Sequence, residues 1–213
     1  MYRELLRRYK ASFAQKDYLF SVLFSVIAFL GSLLINNLAI QFATEHASNP
    51  VTDIILSNIP VVNVDDLFVY GTFLVGGVSA LIVFTHPKRI PFAGNTLALF
   101  FLIRSCFTSL THTGPFAPHV TDFGQTITSA FFGADFFFSG HTGMPFLAAL
   151  VFWDEKPLRY FYLLASIAFA AIVLVGHLHY SIDVFSAFFI TFSIYKLGLW
   201  LFPRDHTLFK SEL

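Results

Sequence analysis

Charge is scarce in this chain. Only 12% of its 213 residues are Asp, Glu, Lys or Arg, about half the usual share of a soluble domain. The thirteen basic and thirteen acidic residues cancel. No bulk field favours nucleic acid, and none is expected as a partner. One cysteine, Cys106, excludes an intrachain disulfide. No internal repeat and no low-complexity linker divides the chain. Aromatics, by contrast, are plentiful at 18%, with 29 phenylalanines, which excludes a disordered chain. With 56% hydrophobic residues and a mean hydropathy of +0.69, the composition is that of a membrane protein.

The basic start, "MYRELLRRYKASFAQKD", precedes an apolar run from Tyr18 to about Ala43. A signal-peptide core is only about 7–15 residues and ends at a small-x-small site. This run is longer and has no clean site, so it reads as a retained span. Further spans are expected over 67–85, 92–110, 160–176 and 180–202, with a shorter one over 141–153. The expectation is an all-α bundle of six transmembrane helices. Residues 1–17 form a basic cytosolic segment, 18–202 the membrane catalytic domain and 203–213 a short cytosolic tail. Two long connections, 44–66 and 111–138, are expected against the membrane surface.

The basic residues alternate with the spans. Arg3, Arg7, Arg8, Lys10 and Lys16 precede the first span, and Lys88 and Arg89 follow the second. Lys156 and Arg159 follow the fourth, and Lys196, Arg204 and Lys210 cluster at the end. The intervening connections contain no Lys or Arg. Cytoplasmic loops are enriched in these residues. Both termini are therefore expected in the cytosol, with the other three connections exoplasmic.

Arg104 is the exception, inside "LALFFLIRSCFTSL". An arginine at mid-helix costs about 2.5–3.5 kcal/mol on insertion scales. It either snorkels or pairs structurally, or it faces a polar cavity and holds an anion.

Two polar stretches interrupt the apolar sequence. "FFFSGHTGMPF" brings Ser139, Gly140 and His141 to the start of the fourth span. That break reads as a helix N-terminus, with Pro145 in its first turn. Its free N–H groups and dipole favour a phosphate. Thirteen residues from His141 to Trp153 span about 20 Å at 1.5 Å each, against a hydrocarbon core of about 30 Å. His141 is thus recessed below the outer surface if Trp153 marks the inner one. In "HLHYSIDV", His179 and Asp183 are four apart and share a face if helical. An aspartate on one ring nitrogen fixes the tautomer and raises the basicity of the other. Asp135 stands six residues before His141 in otherwise apolar sequence. Asp65 and Asp66 read as helix caps or loop-motif residues, and His112, His119 and Asp122 as loop residues.

"SGHT" followed by "HYSIDV" resembles the second and third signature motifs of the type 2 phosphatidic acid phosphatase superfamily. "LSNIPVVNVDDLF", "IRSCFTSLT", "GADFFFSGHT" and "GHLHYSIDVFSAFFIT" are similar, in that order, to its sphingomyelin synthase branch, over about residues 55–200. The resemblance implies a six-helix fold with exoplasmic chemistry and no metal or cofactor. It implies that His179 attacks phosphorus to form a phosphohistidine. Asp183 orients it, His141 is general acid and then base, and Asp135 belongs to the polar site.

The chain departs from the wider superfamily in its cations. Val173 stands where the phosphatases carry an arginine six residues before the nucleophile. Their first motif is missing too, since "HPKRIP" has the wrong order and side. A phosphate monoester carries nearly two charges and a diester one. Arg104, backbone N–H groups at Ser139 and Gly140, and His177 suit the diester. The expected function is transfer of a phosphoalcohol from a phospholipid donor to a lipid alcohol such as ceramide. A lipid phosphatase or phospholipase C-like hydrolase uses the same residues with water as acceptor. A non-enzymatic protein binding haem or metal through His177 and His179 is the third reading.

Overall fold

The computed structural model describes residues 2–116 and 137–211, and among these every regular element is a helix. The helices are α1 (Tyr2–Phe13), α2 (Lys16–Glu45), α3 (Asp65–Phe84), α4 (Ile90–Leu110), α5 (Gly140–Val151), α6 (Lys156–Val175), α7 (Ser181–Leu201) and α8 (Pro203–Lys210). Single 3-10 turns cover Leu56–Asn58 and Pro87–Arg89. The helices α2, α3, α4, α6 and α7 are long and apolar enough to cross a membrane. With 12 residues, α5 is only about 18 Å long. The sequence-expected spans coincide with these helices to within a few residues.

The stripes that pack are narrow. On α2 the buried Tyr18, Ser25, Ser32 and Ala39 recur every seven residues and lie against α4. Small side chains let two helices in lipid approach closely. A Cβ on Gly94 of α4 would stand 2.9 Å from Ser25 Oγ. The hydroxyls of Ser25 and Ser32 donate to carbonyls of their own helix, Val22 and Phe29. The outward face of α2 carries Phe20, Leu23, Ile27, Leu30 and Leu34, all exposed in the isolated chain, as a lipid-facing surface would be.

The connections sort to two ends of the bundle. At one end, Tyr9 Oη donates to Phe84 O and Tyr18 Oη to Pro87 O, each at 2.7 Å. Arg89 pairs with Glu155 at 2.9 Å, and Lys210 with Asp154. Asn95 Nδ2 donates to Asp205 Oδ2 at 2.8 Å, which docks α8. This is the basic end, where Lys88, Arg89, Lys156, Arg159 and Lys210 sit on or beside the connections. At the other end Ser48 N–H donates to His112 O, Val62 N–H to Val175 O and Ser139 N–H to Asp183 O. This is the histidine end. Trp153 lies at the basic end under the Arg159 guanidinium.

The fold corrects two readings. Helix α5 begins at Gly140, so Pro145 lies inside it rather than in its first turn. A proline there leaves the His141 carbonyl without its usual i+4 donor. Asp65 and Asp66 occupy the first turn of α3, favourable to its dipole. The N-cap position is Val64, and Asn63 just before it accepts Asp65 N–H on its Oδ1 at 3.0 Å.

Candidate active site

The site is built where α6 ends and α7 begins. Gly176 N–H donates to Ile172 O, His177 N–H to Leu174 O and Leu178 N–H to Val173 O. The last two bonds form a Schellman closure with His177 at the left-handed position. His177 has φ 54° there, a conformation that normally selects glycine. The chain does have a glycine, but one residue earlier. Strain of roughly 1–2 kcal/mol is thus concentrated on a histidine that is only 3% exposed. The turn points the following residues back across the bundle end.

His179 is not on a helix. It precedes the N-cap of α7, Tyr180, and Asp183 is the third residue of the helix. Asp183 reaches backwards, so its Oδ2 accepts Tyr180 N–H at 3.1 Å and lies 3.5 Å from His179 Nδ1. The His179–Asp183 pairing anticipated from an i,i+4 helical face is present, but it is made by a capping turn. Both side chains are buried.

His141 enters from α5. Its ring packs on Phe68 of α3, with centroids 4.3 Å apart, and beside Phe169 of α6 at 6.0 Å. It is close enough to feel the charges of both His179 and Arg104. Ser139 is fully buried as the N-cap of α5, its Oγ accepting Thr142 N–H and donating to Thr142 Oγ1. Its hydroxyl is committed to the cap, so Ser139 shapes the site rather than offering a free donor. Its backbone N–H bonds the Asp183 carbonyl at 3.1 Å. That bond brings the N-termini of α5 and α7 together.

Arg104 is paired structurally, the first of its sequence readings. Nε donates to Phe138 O at 3.1 Å and Nη1 to Asn36 Oδ1 at 3.3 Å. Its guanidinium also attracts the Asp183 carboxylate. Two contacts leave part of a five-donor fork beside the start of α5. Gly140 permits this approach, since a Cβ there would stand 3.3 Å from Arg104 Nε. No second cation joins it among the described residues. Val173 is fully buried in an apolar cluster with Phe68, Phe169 and Val184, and Lys88 and Arg89 lie at the basic end.

Two site neighbours escaped the sequence reading. Asp53, in the connection after α2, accepts Ser181 N–H at 2.7 Å. Tyr180 Oη accepts Val51 N–H at 3.2 Å and donates to Gly114 O at 2.8 Å. An isolated aspartate in a polar loop carries no periodic signal, and a tyrosine beside two histidines is overshadowed by them. His112 packs against Phe42 and His46. Asp135, His119 and Asp122 lie outside the described residues. Among the described residues no three His, Cys, Asp or Glu side chains gather as a metal site.

Residues 133–199 match the family model described as PAP2 superfamily C-terminal. The matched segment contains His141, His177, His179 and Asp183, and spans α5 to α7. It supports kinship with that superfamily and is consistent with lipid phosphatase or phosphotransferase chemistry. No curated protein and no solved structure matches the chain.

Proposed function

We propose that the histidine end transfers a phosphoalcohol from a glycerophospholipid to a lipid alcohol, in the manner of the sphingomyelin synthase branch. The observation that carries this reading is the convergence of His179, held by Asp183, with His141 and Arg104 at one end of a multi-pass bundle. His179 attacks phosphorus through Nε2 while Asp183 holds Nδ1–H. The bond from phosphorus to the diacylglycerol oxygen breaks, and His141 donates the proton that oxygen needs. The acceptor hydroxyl then attacks the phosphohistidine and gives its proton to His141, and the P–N bond breaks. Arg104 and the N–H groups at the start of α5 face the charge that develops on the phosphoryl oxygens. His177 belongs to the same site in this reading.

The diester preference rests on charge. Arg104 is the one cation of the described site, and the position of a second one is filled by buried Val173. Opposite the basic end, the site faces the exoplasm.

The family match favours a second reading equally well, in which water replaces the acceptor and the protein is a lipid phosphatase or a phospholipase C-like hydrolase. A head-group fate assay separates the two. Purified protein receives a head-group-labelled phospholipid with and without ceramide, beside His179→Ala. Label entering a new ceramide lipid, in active protein with acceptor only, supports transfer. Label released as a water-soluble phosphoalcohol regardless of ceramide means hydrolysis. Faster consumption of phosphatidate than of any diester overturns the charge argument.

A further inference from the structure

Among the described residues at the histidine end, Asp53 is a heavily engaged carboxylate, and it comes from a connection remote in sequence. It is 7% exposed. Oδ1 accepts Ile55 N–H at 2.8 Å and Leu56 N–H at 3.0 Å, which folds its own loop into a turn. Oδ2 crosses to α7 and accepts Ser181 N–H at 2.7 Å, across 128 positions of sequence.

Three consecutive residues are therefore fixed by different means. His179 lies over Asp183, Tyr180 N–H is held by Asp183, and Ser181 N–H is held by Asp53. The same loop grips the Tyr180 hydroxyl through Val51 N–H. The segment upstream is the strained turn at His177, which supplies no regular helix to hold His179. Charge-assisted bonds to a buried carboxylate are the strong class of hydrogen bond.

We propose that Asp53 is a positioning residue for His179, fixing the start of α7 so that the imidazole stays over Asp183 and faces His141. Burial works against the Asp53 carboxylate, but its hydrogen bonds from Leu56, Ser181 and Ile55 outweigh that and hold its pKa below the usual value. It is an anion throughout the neutral range. Its charge sits at the N-terminus of α7, where the helix dipole favours it. The inference rests on the reading of His179 as the reacting residue, because misplacing a catalytic group by about 1 Å costs roughly 10²-fold in rate.

Two substitutions remove the link from opposite sides. Asp53→Asn keeps Oδ1 for Ile55 and Leu56 but turns an amide NH2 towards Ser181 N–H. Ser181→Pro deletes the donor. The first position of a helix accepts proline, and Tyr180, with φ −63° and ψ 153°, already has the backbone that a residue before proline needs. Each variant is assayed for kcat and KM on a phospholipid donor, for melting temperature, and for the rate at which diethyl pyrocarbonate modifies His179, read by mass spectrometry.

The expected result is a fall in kcat on the order of 10²-fold with unchanged KM, and an altered His179 modification rate. The double variant loses no more than either single, because both break one bond. Wild-type kcat and His179 reactivity in both singles overturn the proposal, as do fully additive losses. If Asp53→Asn does not accumulate, Ser181→Pro carries the test by the same readouts. If the wild type turns over no lipid while both variants still change His179 reactivity non-additively, the positioning role stands and the phosphoryl-transfer reading falls.

Discussion

Asp183 and His179 meet at a single oxygen: Oδ2 of Asp183 lies 3.5 Å from His179 Nδ1 and also accepts the Tyr180 N–H at 3.1 Å. One atom thus closes the first turn of α7 and orients the imidazole before it. Asp183→Asn should lower kcat by roughly 10²–10⁴-fold. It should also weaken the cap by about 0.5–2 kcal/mol. Kinetics and thermal melts on the same preparations check both, and a large loss of rate with an unchanged melting temperature separates orientation from capping.

Gly140 lets the Arg104 guanidinium lie against the start of α5. A methyl group at 3.3 Å from Nε displaces the side chain by a few tenths of an ångström. Gly140→Ala should raise KM for the phospholipid donor with little change in melting temperature. Arg104→Lys should do the same, because a point charge cannot reproduce the fork that reaches Phe138 O and Asn36 together.

His177 occupies a left-handed position that glycine fills without strain. His177→Gly should relieve that strain and offset part of it by a more flexible unfolded chain, leaving stability equal to or above wild type by up to about 1 kcal/mol. Activity should fall all the same if the ring contacts substrate. A variant that is stable and fully active would assign the histidine no part in the site.

Gly143 sets the distance between α5 and its neighbours. A Cβ there would stand 2.8 Å from Thr191 Oγ1 and 2.9 Å from Phe100 Cε2. Gly143→Ala should destabilise the bundle by about 1–3 kcal/mol. Trimming the ring in Gly143→Ala/Phe100→Leu should recover part of that loss, as read from thermal unfolding in detergent.

The Asp53 link carries a pH signature. Its folded pKa is depressed below 3.8. The stability it contributes is therefore fully present above that value and is lost as pH falls through the folded pKa. The difference in melting temperature between wild type and Asp53→Asn should be constant near neutrality and shrink below about pH 4. A difference that persists unchanged into strong acid would mean the carboxylate's charge plays no part.

The spans were legible in the sequence because hydrophobic length is a local property. The runs at 18–43, 67–85, 92–110, 160–176 and 180–202 each became a helix within a few residues. The sorting of basic residues to one end was legible for the same reason, since alternate connections of a bundle share an end. His141, His179 and Asp183 were legible as breaks in apolar sequence, where polar groups are costly.

Sequence alone determined which segments are helices, which connections share an end and which residue types face one another there. Tertiary structure decided how they are held. Spacing suggested a helical face for His179 and Asp183, but the helix starts after His179 and the contact is a backward cap. The hydroxyl of Ser139 is committed to a cap, and Arg104 is shared between α2, the Phe138 carbonyl just before α5 and the charge of Asp183. Asp53 reaches Ser181 across 128 positions. Such bonds leave no periodic trace, because a single carboxylate finds its donors only after packing has fixed the distance between two chain segments.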